Sequence, residues 1–126
     1  MKAYTDLKQS KKLAEILPIE SVDMYYSDNE YPKQITKYHI TYANVLYGSY
    51  DINYFDIYGY VPCWSLAALF DILPDDTNII KDKSDTENEK YMCTVGVKGD
   101  IINTFGNNPV DVCYKMILKL HELNLL

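Results

Sequence analysis

Arginine is absent from this chain: all twelve cationic side chains are lysines, set against eighteen carboxylates, for a net charge of −6. Arginine's planar fork grips phosphates and carboxylates with two parallel hydrogen bonds, and unspecific nucleic-acid binding depends on neutralising phosphate charge. Both considerations argue against a nucleic-acid partner, and the one lysine cluster, Lys8, Lys11 and Lys12, is weak compensation. Cysteine is scarce as well. Cys63, Cys93 and Cys113 are odd in number, widely spaced and without a CxxC pair, so they form neither a disulfide framework nor a zinc knuckle, and each reads as a small core residue. No apolar run approaches the length of a membrane span, and Met1-Lys2-Ala3-Tyr4-Thr5-Asp6 has no apolar core of a secretion signal. A cytoplasmic protein without membrane contact is therefore expected. No catalytic, cofactor or metal motif is recognisable, so neither cofactor nor metal is expected.

Tyrosine, by contrast, is abundant and concentrated: ten of the thirteen fall between Tyr25 and Tyr60. The length suits one domain over residues 1–126. Thr5 can cap a helix with Leu7, Leu13, Ile16 and Leu17 on its apolar side, stopped by Pro18. A short strand follows over Ser21 to Tyr26, then a turn through Asp28 to Pro32. Two β-rich runs, Thr36 to Tyr47 and Tyr50 to Val61, flank Gly48-Ser49 as a hairpin. Pro62 suits a first helical position, opening an almost wholly apolar helix through Leu73 that Pro74 ends and that should be buried all round. Residues 75–90 carry six acids and three lysines and read as a solvated, flexible acidic loop. Lys90 to Val97 and Ile101 to Phe105 form a second hairpin about Lys98-Gly99-Asp100. Asn108 caps and Pro109 opens a last helix, with Val110, Cys113, Ile117, Leu120 and Leu123 at helical spacing. The order α-β-β-β-α-β-β-α predicts an α+β fold with three helices on one mostly antiparallel sheet of about five strands.

The helical segments Leu7 to Pro18, Val61 to Pro74 and Asn108 to Leu126 resemble a set of small proteins encoded by gut Bacteroides-type bacteria, their prophages and other mobile elements. The resemblance covers under half of the chain and implies an intracellular setting, with the helices as scaffold and the sheet as the variable part. No activity is attached to that set, so no functional residue carries over.

In the hairpin about Gly48-Ser49, Tyr47, Val45, Ala43, Thr41 and His39 lie across from Tyr50, Ile52, Tyr54, Asp56 and Tyr58, with Tyr60 beyond. The opposite face holds the better apolar cluster, Ile40, Tyr42, Phe55 and Ile57, and turns toward the helices. Tyr47, Tyr50, Tyr54, Tyr58 and Tyr60 then face outward. Tyrosine offers a large, stiff, amphipathic contact area, the kind enriched at interface hot spots; the plainer reading is that it simply favours strands.

For catalysis, Cys63 at a helix start is the best nucleophile, but His39 and His121 are the only histidine bases and neither is placed beside it by the sequence. The run Asp82 to Glu89 imitates a calcium loop but has Glu87 where the turn needs glycine. Trp64, one residue inside its helix, should seal that helix against the sheet. The expectation is a non-enzymatic interaction module whose tyrosine face meets a protein partner or a second copy. The alternative is a phage or mobile-element inhibitor whose acidic surface mimics phosphate toward a host nucleic-acid-binding protein.

Overall fold

The computed structural model describes residues 2–27, 31–35, 59–81 and 90–126. Contacts divide the chain into two units, Thr5–Ala68 on one hand and Met1–Tyr4 with Leu69–Leu126 on the other. The hairpin expected about Gly48-Ser49 lies outside the described residues.

The first unit begins with helix α1, Leu7–Ala14. Its cap is Asp6, not Thr5: the Gln9 amide donates to Asp6 Oδ1 at 2.8 Å, and Gln9 Oε1 accepts from the Asp6 amide at 3.1 Å. That reciprocal box satisfies donors at both positions, and Thr5 is free for another task because its side chain is fully buried. A single 3₁₀ turn, Ile19–Ser21, follows Pro18. Strands β1 (Met24–Tyr26), β2 (Lys33–Gln34) and β3 (Val61–Cys63) form an antiparallel sheet in the order β2-β1-β3. The register pairs Met24 with Gln34 and with Cys63. Pro62 is thus a strand residue rather than a helix opener, opposite Tyr25. A residue with no amide hydrogen is tolerated on a strand that borders a three-stranded sheet.

Helix α2, Leu66–Ile72, starts beyond Trp64. Ser65 Oγ accepts from the Ala68 amide at 3.2 Å, the bond of an N-cap. Of its residues only Leu69 is buried, and Phe70 is 44% exposed, so the expectation of a helix buried all round is corrected.

In the second unit, β4 (Thr77–Lys81), β5 (Tyr91–Val97) and β6 (Asp100–Gly106) form an antiparallel sheet in sequence order. The described residues therefore hold two three-stranded sheets and six strands, where one sheet of about five was expected. β4 was hidden inside the acidic stretch: Thr77, Ile79 and Ile80 are β-branched and prefer strand whatever charges flank them. Residues 82–89 of that stretch lie outside the described part. β5 and β6 meet at Lys98 (φ 49°) and Gly99 (φ 86°), both left-handed, and Val97 pairs with Asp100. That is a two-residue turn of type I′, whose twist matches that of the strands.

Helix α3, Pro109–Glu122, is capped by Asn108, which accepts from the Asp111 amide at 2.9 Å. Val110, Val112, Cys113, Met116, Ile117 and Leu120 are wholly buried, whereas Leu123 is 51% exposed. The helix ends with Asn124 left-handed at φ 57°, Leu125 N–H bonding to Leu120 O at 2.8 Å and Asn124 N–H to His121 O at 3.1 Å. This is a Schellman closure with asparagine in the usual glycine place.

Candidate binding face and the cysteines

Side chains alternate across a strand, so the ladder sorts the second sheet into two faces. Cys93 and Val95 of β5 and Thr104 of β6 are buried on the face that carries α3. Gly106 belongs to that face, and a Cβ there would lie 3.2 Å from Val112 Cγ1, so helix and strand approach closely at this point. The opposite face is assembled from residues that the register aligns in rows. Ile80, Met92 and Phe105 form one row across all three strands; Asn78, Thr94 and Asn103 form the next; Gly96 and Ile101 end the series. Ile80 is 46% exposed and Ile101 72% exposed. Asp76 lies against the glycine end of this face, where a Cβ on Gly96 would meet its Oδ2 at 2.9 Å. The result is an apolar strip bordered by amides and one carboxylate. Sequence reading passed over it because Ile80 was assigned to a loop; the pairing about Lys98-Gly99 was the signal that could have aligned Met92 with Phe105.

Of the tyrosines expected to face outward, Tyr47, Tyr50, Tyr54 and Tyr58 lie outside the described residues. Tyr60 is half-buried, its ring centroid 4.9 Å from that of Tyr25 at an interplanar angle of 32°. Such a tilted pair contributes beyond its buried area. Burial pushes the Tyr25 phenol up from its ordinary pKa, and the neighbouring Tyr60 adds to the shift.

Cys63 ends β3, short of any helix, and is fully buried. Its Sγ donates to the Thr5 carbonyl at 3.4 Å and lies 3.5 Å from Thr5 Oγ1. Thr5 Oγ1 also shares a 2.7 Å bond with Ser10 Oγ and accepts from the Trp64 amide at 3.2 Å, while Tyr26 Oη donates to Thr5 O at 2.7 Å. Burial pushes the Cys63 thiol up; hydrogen bonds from Thr5, Ser10 and Tyr26 offset part of this, and Asp23 raises it further. The thiol is raised, enclosed and ringed by hydroxyls, and among the described residues no histidine hydrogen-bonds to it. His39 lies outside the described residues, and His121 is an exposed residue of the last turn of α3.

Trp64 precedes α2 and is fully buried, its Nε1 donating to Ser21 Oγ at 2.9 Å. Asp23 accepts from the Ser65 amide at 2.9 Å and from Ser65 Oγ, tying the start of α2 to the segment before β1.

Cys93 and Cys113 are also fully buried, and each thiol shifts the ionisation of the other. The Cys113 thiol, opposed by burial, lowers the Cys93 pKa. Cys113 is driven strongly up by its interaction with Cys93 and by burial. Among the described residues no three His, Cys, Asp or Glu side chains gather as they would around a metal ion. No helix among them is long and apolar enough to cross a membrane. Compared with known proteins, the chain matches no family model, no curated protein and no solved structure.

Proposed function

We propose that the protein is a non-enzymatic, cytoplasmic binding module that offers a sheet face to a protein partner. The observation that carries this reading is the Ile80–Met92–Phe105 row with the highly exposed Ile101, on the side of the second sheet away from α3. An apolar strip with a polar border has the make-up of an interface core and rim, and apolar side chains aligned across three strands lie close enough to act as one contact. Three cysteines free of disulfides suit a reducing compartment. The tyrosine-rich sequence from Tyr47 to Tyr60 offers a second candidate contact, since tyrosine rings bind at low entropy cost.

Affinity capture from host lysate, with wild type beside an Ile80→Lys/Ile101→Lys variant and a Tyr54→Ser/Tyr58→Ser variant, tests the reading. A protein retained by wild type and lost by the isoleucine variant supports the sheet face; loss only in the tyrosine variant moves the interface to the tyrosines. Equal recovery by all three, or no specific protein with any, overturns the proposal.

A further inference from the structure

Cys93 lies in the centre strand of the second sheet, on the face that α3 covers, with Thr104 as its partner across the ladder. Thr104 Oγ1 donates to Val112 O at 2.8 Å, which fixes the turn of α3 bearing Cys113 at the level of Cys93. The close approach at Gly106 holds the same turn down on the sheet. Strand, helix and hydroxyl thus bring two thiols together that the chain separates by the whole β5–β6 hairpin. We propose that Cys93 and Cys113 are a peroxide-oxidisable dithiol, converted by hydrogen peroxide to a disulfide that joins β5 to α3.

The chemistry divides between the two sulfurs. Cys93, whose thiolate is favoured by the Cys113 thiol and which faces Thr104 across the ladder, is the nucleophile. It attacks one peroxide oxygen; the O–O bond breaks, and the leaving hydroxide takes up the proton released by Cys93, giving Cys93 sulfenic acid and water. Oxidation removes the charge that holds the Cys113 proton in place. Cys113 then attacks the Cys93 sulfur, the S–S bond forms, the S–O bond breaks, and the departing hydroxide takes the Cys113 proton as a second water. Two thiols lose two electrons and two protons, and one peroxide becomes two waters. A small neutral oxidant suits a pair with no exposed sulfur, since a bulky disulfide reagent needs an open approach.

The folded protein is treated with hydrogen peroxide, quenched, unfolded in denaturant with an alkylating agent and mapped by mass spectrometry. Two of the three alkylatable thiols are expected to disappear, with a Cys93–Cys113 linked peptide, a mass loss of two hydrogens, and Cys63 still alkylated. In Cys113→Ser the reaction stops at Cys93 sulfenic acid, trapped by a cyclic 1,3-dione; the wild-type map stands if that variant does not fold. Three alkylatable thiols after treatment, a bridge that includes Cys63, or separate sulfinic acids at Cys93 and Cys113 would each overturn the proposal.

Discussion

Thr5 concentrates more hydrogen bonds than any single position around Cys63: its hydroxyl serves Ser10 and the Trp64 amide, and its carbonyl accepts from Tyr26. Valine has the same shape without the hydroxyl, so Thr5→Val leaves buried donors unmet and should lower stability by about 1–3 kcal/mol in urea unfolding. The Cys63 thiol carries a pH dependence of definite sign. Below the ordinary thiol pKa of 9.0 both folded and unfolded chains keep the proton; above it the unfolded chain releases the proton first, so folding weakens as pH rises. Cys63→Ala should show a shallower alkaline decline than wild type when unfolding is followed from pH 8 upward, and an unchanged slope would contradict the raised pKa. Two glycines separate tight from loose space. Gly106→Ala drives a methyl toward Val112 in the buried helix contact and should cost about 1–3 kcal/mol. Gly96→Ala meets only the end of the exposed Asp76 side chain, which can swing aside, so thermal unfolding should show the smaller loss.

Among elements, the start of α3 was written plainly: Asn108-Pro109 is an N-terminal signature that the structure keeps, and Asn108→Ala should cost about 1 kcal/mol. The β5–β6 turn was legible too, yet Lys98 holds a left-handed conformation that lysine disfavours. Lys98→Asn produces the Asn-Gly pair that this turn prefers and should raise the unfolding free energy by roughly 0.5–1 kcal/mol. Other elements were misread for local reasons. Thr5 and Asp6 are both good caps, and only burial of the threonine shows which one is used. Pro62 fits a helix start as well as a bordering strand, and its pairing with Tyr25 depends on residues far away in sequence. In β4, charges on either side outweighed a β-branched core of a few residues. The candidate strip demanded correct strands and correct register together, so one loop assignment concealed it. The Cys93–Cys113 pairing has no linear signature, since each cysteine reads alone as a small core residue.

At the scale of the whole chain, the charge balance is the property that composition alone determines. With a pI of about 4.7 the protein should be least soluble near that pH, where self-repulsion vanishes, as turbidity across a pH series would show. The absence of arginine leads to a second expectation, that duplex DNA is not retained even at low salt; retention in a mobility shift assay would contradict it. The α+β class, three helices and antiparallel pairing were readable from periodicity and turn residues. Division into two contact units was not, because no glycine- or serine-rich linker marks it. The sole tryptophan gives those units unequal visibility. Trp64 is sealed from water within Thr5–Ala68 and its indole is bonded to Ser21, whereas Leu69–Leu126 contains no tryptophan. Its fluorescence is therefore a gauge wired to one half of the molecule: emission should be blue and protected from iodide, and its red shift on heating would time the opening of Thr5–Ala68, with the β5–α3 half silent under excitation selective for tryptophan.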